Sequence, residues 1–95
     1  MSTTNIGFQV LPIVPDGNVY DVIDKAIEVV QKSGVKYEVG ALETVMEGEF
    51  DTLIDIVKRA QLACIEAGAS EVAVNIKVHY NPNGVSMEGK TKKFR

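Results

Sequence analysis

Twice along this chain a helical apolar pattern is enclosed between segments that alternate apolar and polar residues, and that doubled order leaves few folds open. Val19, Val22, Ile23, Ala26, Ile27 and Val30 recur at helical spacing, as do Leu53, Ile54, Val57, Ala60, Gln61 and Cys64. Asn18 offers an N-terminal cap to the first helix and Ser33-Gly34 a stop; Asp51 and Gly68 play the same parts for the second. Ahead of the first helix, residues 6–14 read as a strand with Ile6, Phe8 and Val10 on one face and Gln9, Leu11 and Ile13 on the other. Both faces are apolar enough to predict that both are covered. Pro12 lacks a ladder donor and predicts a strand end or sheet edge. Between the helices lie two further strands, 35–41 and 44–50, joined through Leu42-Glu43 as a hairpin. Glu71 to Tyr80 alternates most cleanly, with Val72, Val74, Ile76 and Val78 opposite Ala73, Asn75, Lys77 and His79. Beyond the turn Asn81-Pro82-Asn83-Gly84 the pattern weakens, and a short helix or edge strand is expected.

The order is β-α-β-β-α-β. Right-handed crossovers put both helices on one face of a four-stranded antiparallel sheet, a ferredoxin-like α+β sandwich. Ninety-five residues suit one such domain over 1–95, with a core at about 5–80 and a C-terminal tail at 81–95. The opposite sheet face is then bare in a single copy. It carries Gln9, Leu11, Ile13, Glu38, Gly40, Val45, Glu47, Ala73, Asn75 and Lys77, and its aliphatic members predict association or ligand binding.

Charge divides the chain. Residues 1–80 hold 6 Lys/Arg against 12 Asp/Glu, whereas residues 81–95 hold 4 against 1. An acidic body disfavours nucleic acid, and the third strand, Thr44 to Phe50, is acidic where an RNA-recognition strand carries basic and stacking residues. No apolar run approaches the ~18 residues of a membrane span. Met1-Ser2-Thr3-Thr4-Asn5 lacks the basic and apolar regions of a secretory signal, so a cytoplasmic chain is expected. One cysteine and one histidine allow neither an internal disulfide nor a protein-only zinc site, and Cys64 lies on the inner stripe of its helix. His79, the single imidazole, has no serine or cysteine placed to form a triad with it, and no Gly-rich phosphate loop is present.

A carboxylate cluster is left: Glu38 on the second strand and Glu43, Glu47 and Glu49 around the third. Glu38 and Glu47 share the bare face if Met46 faces the helices. With Gln9 and Asn75 nearby they suit a cationic, hydrogen-bonding, partly aromatic ligand, although a solvated acidic hairpin gives the same pattern.

Tyr37-Glu38-Val39-Gly40 followed by Thr44-Val45-Met46-Glu47-Gly48-Glu49 resembles the Y-E-x-G … T-x-x-E-G-E signature of the small thiamine-binding protein family. Gln9-Val10-Leu11-Pro12 and Asp24-Lys25-Ala26-Ile27 extend the likeness over roughly residues 5–80. The chain departs from many members after the last strand, where His79-Tyr80-Asn81-Pro82 and a short basic tail stand in place of an Asp-Asp-Arg-like segment and a longer helix. The resemblance implies a ferredoxin-like fold and dimers and tetramers assembled through the sheets. It also implies non-enzymatic binding of thiamine or its hydroxymethylpyrimidine moiety, without a further cofactor or a metal. On that basis Glu38 and Glu47 balance the cation or take the amino group, Gln9, Thr44 and Asn75 supply matching polar atoms, and Leu11, Val45 and Ile13 pack against the rings, with Gly40 also in the site. Glu43, in the hairpin link, is expected to be solvated. Phosphorylated ligands are expected to bind more weakly, because no basic pair is evident near the hairpin; Lys77 and the basic tail would reverse this if folded back over it. Two alternatives stand beside this reading. One is an oligomeric interaction module that uses the sheet face alone. The other is an acyl-phosphate hydrolase, for which the two arginines, Arg59 and Arg95, provide no phosphate-cradling loop.

Overall fold

A computed structural model describes residues 3–95; Met1 and Ser2, with which the expected domain and the signal reading begin, lie outside the described residues. The elements run β1 (Thr4–Ile13), α1 (Val19–Lys32), β2 (Lys36–Val39), β3 (Thr44–Gly48), α2 (Phe50–Glu66), β4 (Glu71–Tyr80) and α3 (Met87–Thr91), ending in a 3-10 turn at Lys92–Phe94. The four strands form one antiparallel sheet in the order β2-β3-β1-β4. With α1 and α2 packed on one face, this is the ferredoxin-like sandwich.

Local chemistry explains the boundaries. Asn18 caps α1, its Oδ1 accepting from the Tyr20 amide at 2.8 Å. Gly34 follows the last turn at φ +85°, a conformation that costs residues with a Cβ more than it costs glycine. At α2 the expected cap moves: Glu49, not Asp51, holds the N-cap position, and it makes no side-chain cap. Both hairpin strands are shorter than their patterns suggested.

The core lies between the helices and the sheet. Ile6, Phe8, Val10 and Met46 meet Val22, Ala26 and Val30 of α1 and Leu53, Ile56, Val57, Ala60 and Cys64 of α2. Ile56 was absent from the expected inner stripe and is fully buried, whereas Gln61 points to solvent. Burial pushes the Cys64 thiol up, so it stays protonated and unreactive at neutral pH.

The outer half of β1 does not have the cover its pattern predicted. Pairing with β3 ends at Phe8↔Thr44, while pairing with β4 continues to Ile13↔Glu71. Pro12 therefore sits where β1 has a neighbour on one side only, and Leu11 and Ile13 are 44% and 55% exposed.

Ile56→Ala should lower unfolding free energy by about 2–5 kcal/mol, since it opens a cavity at a fully buried site. Leu62→Ala, at a position 58% exposed, should change it by less than ~0.5 kcal/mol. Urea titration of the two variants checks this contrast.

Candidate functional site

Strand alternation sends every second residue to the face away from α1 and α2. There Asn5 lies opposite Glu47 and His79, Gly7 opposite Val45 and Lys77, and Val45 opposite Glu38. Gly7 leaves a gap in this floor, and the Glu43 carboxylate fills it: a Cβ at Gly7 would lie 2.9 Å from Glu43 Oε1. Glu43 reaches that position because the hairpin turns tightly, the Gly40 amide donating to the Glu43 carbonyl at 2.9 Å. Its Oε2 pairs with Lys77 Nζ at 2.9 Å. The link residue expected to be solvated is thus partly buried on the sheet.

The C-terminal segment forms the other wall. After the Asn81–Gly84 turn, Val85 returns to the start of β1, its amide donating to the Thr3 carbonyl at 3.2 Å. Ser86 then caps α3, with its Oγ accepting from the Gly89 amide at 3.0 Å. The Met87 amide donates to Glu47 Oε1 at 2.7 Å, and the Met87 side chain is buried. Arg95 Nη2 completes the closure on Glu38, 2.8 Å from Oε1 and 3.1 Å from Oε2. The sheet face expected to be bare in one copy is therefore roofed at one end. Between roof and floor lies a cavity of about 560 Å³, lined by residues that include Asn5, Gly7, Glu38, Val45, Lys77 and Lys90.

Asn5 is the unusual member. It is only 5% exposed, and its Oδ1 has no hydrogen-bond partner among the described residues. Its Nδ2 donates to Glu47 Oε1 at 3.2 Å. A carboxylate can only accept, so this bond fixes the amide orientation and leaves the oxygen as the free atom. A buried acceptor without a donor is costly.

The sequence-derived residues divide by position. Glu38, Gly40 and Val45 line the cavity. Glu47 stands at its edge, joining Asn5 to α3. Gln9, Leu11 and Thr44 line a separate groove between α1 and the hairpin loop, which Gly40 also borders. Thr44 is buried toward the helices, and Asn75 pairs opposite Gln9, outside both hollows. Sequence reasoning missed Asn5 and Gly7, and it reached Lys90 and Arg95 only as members of a basic tail that would matter if it folded back. The opposed charges of tail and hairpin were the one signal that could have joined the last two to Glu38. Among the described residues, no cluster of three His, Cys, Asp or Glu side chains could hold a metal ion, and no helix is long and apolar enough to cross a membrane.

The two glycines give a test of this geometry. A Cβ at Gly40 would meet the Glu43 backbone carbonyl at 2.9 Å, and backbone cannot step aside. Gly40→Ala should therefore destabilise by about 1–3 kcal/mol. At Gly7 the obstacle is the far end of a flexible side chain. Gly7→Ala should leave stability within ~1 kcal/mol while displacing the Glu43 carboxylate from the floor. Thermal melts read the first effect, and chemical shifts of the Lys77 side chain read the second.

Comparison with known proteins places these features. A relative from Clostridium perfringens, a UPF0045 protein, is 47% identical over the whole of both chains. A solved domain of unknown function from Bacillus cereus superposes with a TM-score of 0.97 at 55% identity, covering 99% of this chain and 91% of the other. A Thermotoga maritima structure, described as a candidate thiamine biosynthesis/salvage protein, superposes with a TM-score of 0.89 at 34% identity, covering 98% and 99%. Residues 6–95 match the family described as thiamine-binding protein, so the hairpin signature, the sandwich and the overall match agree, and the chain belongs to that family.

Proposed function

We propose that this protein binds thiamine or its hydroxymethylpyrimidine portion, without chemical conversion, in the cavity between the sheet face and the C-terminal segment. The observation that carries the reading is the buried, unpartnered Asn5 Oδ1. The exocyclic amine of an aminopyrimidine is a donor of the kind this acceptor lacks. A volume of about 560 Å³ falls within the usual range of small-molecule pockets. Gly7 and Val45 supply a flat floor for the rings, and Glu38, whose pair with Arg95 is exposed and exchangeable, can balance a thiazolium charge. The family and the Thermotoga maritima relative support the same ligand class.

Calorimetry at ~100 μM protein, sufficient for ~10 μM affinities, should show heat with thiamine and with hydroxymethylpyrimidine. Asn5→Ala should weaken both by about tenfold, the cost of one buried hydrogen bond at ~1–1.5 kcal/mol. Heat with neither ligand, or full affinity in Asn5→Ala, would refute the reading.

The same proposal includes a cytoplasmic homo-oligomer, a tetramer built as a dimer of dimers. Leu11 and Ile13 on the unroofed end of the sheet support it, because half-exposed aliphatic pairs on a strand face favour association. Sedimentation should give about four times the 10.3 kDa chain mass at micromolar concentration. Leu11→Lys with Ile13→Lys should reduce it, and a wild-type monomer would count against the assembly.

A further inference from the structure

The ionisable groups of the cavity do not match a ligand that is only a cation. Two carboxylates line it, Glu38 and Glu43, and each already has a cation from the chain itself: Arg95 at 2.8 Å and Lys77 at 2.9 Å. A third cation, Lys90, lines the same cavity and has no carboxylate within ion-pair distance among the described residues. The cavity's lining side chains include three cations and two carboxylates, and the Glu47 carboxylate stands at its edge. Four of the lining residues, Met87, Lys90, Thr91 and Arg95, come from the segment that folds back over the sheet.

We propose that the ligand this cavity is built for is phosphorylated, its phosphate lying against Lys90 with Lys77 and Arg95 within the same enclosure. The inference rests on the thiamine-type reading above and specifies the form of that ligand. An amine at one end answers Asn5 Oδ1; a phosphate at the other answers Lys90. The Arg95–Glu38 pair is an exposed ion pair, at 58% and 46% side-chain exposure, and pairs of this kind are readily exchanged. A ligand bearing both a positive ring and a phosphate can take over both of its ends, with Glu38 turning to the ring and Arg95 to the phosphate. The expectation of weaker phosphate-ester binding carried an exception for Lys77 and a tail folded back over the hairpin, and the tail does fold back.

The test is a calorimetric comparison of thiamine, thiamine monophosphate and inorganic phosphate on the full chain, in wild type, Lys90→Gln and Lys93→Gln. Lys93 belongs to the same tail but does not line the cavity; its Nζ sits 5.1 Å from the centre of the Phe94 ring. Wild type should bind the monophosphate about tenfold more tightly than thiamine, the scale of one charge-assisted contact. Lys90→Gln should remove most of that ratio, read against each variant's own thiamine affinity, and Lys93→Gln should keep the ratio. Equal or weaker monophosphate binding beside clear thiamine binding overturns this inference and leaves the thiamine-type reading standing. Equal loss in both variants overturns it in favour of the general field of the tail. Inorganic phosphate binding as tightly as the ester overturns it in favour of a plain anion site. Heat with neither thiamine nor its phosphate overturns the reading beneath it.

Discussion

The register between β1 and β3 governs both faces of this sheet. Ile6 lies opposite Met46 and both are fully buried under the helices; one step along, Asn5 lies opposite Glu47 on the other face. Because side chains alternate strictly, a slip of one residue would turn Ile6, Phe8 and Val10 outward and drive Asn5 into the core. Burial of each large apolar side chain is worth about 1.5–3 kcal/mol, more than the net ~1 kcal/mol of a typical hydrogen bond. The polar face therefore has no independent say in the register. The core on one side sets it, and the cavity floor on the other follows.

The roof obeys different physics. A helix of five residues has no stability of its own, since nucleation is costly and few bonds repay it. One buried side chain, Met87, and a set of polar contacts hold α3 in place. Of these, Glu47 carries the most, because a single oxygen ties the β1 side chain to the α3 backbone through charge-assisted bonds. Arg95 and Glu38 are exposed, and their pair adds at most ~1 kcal/mol. The sheet and the two long helices are thus fixed by burial, while the segment that closes the cavity is attached by bonds that water or a ligand can replace at small cost.

How much of this was legible in the sequence follows the same division. Elements fixed by apolar periodicity could be read: both long helices, all four strands, the face shared by Ile6, Phe8 and Val10, and the face of Glu38 and Val45. The errors came where two rules met. Ile56 sits one position from Val57 on a wide buried stripe, so a narrow reading passed over it and admitted Gln61 instead. Glu43 looked solvated because a link residue usually is; its fate depended on Gly7, thirty-six positions away, leaving a gap of the right size. The roof was illegible for a deeper reason. Its attachment rests on single polar contacts between distant segments, such as Arg95 to Glu38, and no periodicity records those.

The charge arithmetic nevertheless contained the outcome in coarse form. An acidic body and a basic tail on one small chain attract each other over a distance comparable to the screening length. Folding turns that attraction into one specific pair, Glu38 with Arg95, beside the pair Glu43–Lys77 within the body. Once those pairs form, net charge says little about what the cavity prefers. Selectivity passes to the groups still lacking a partner and to the exposed Glu38–Arg95 pair, which a ligand can exchange, because a buried orphaned polar atom gains a full interaction. Among the described residues that line the cavity, Asn5 Oδ1 is such an acceptor, and Lys90 is an exposed cation without an ion-pair partner. One was hidden by burial and the other by the tail's fold, and the proposed recognition rests on the chemistry of both.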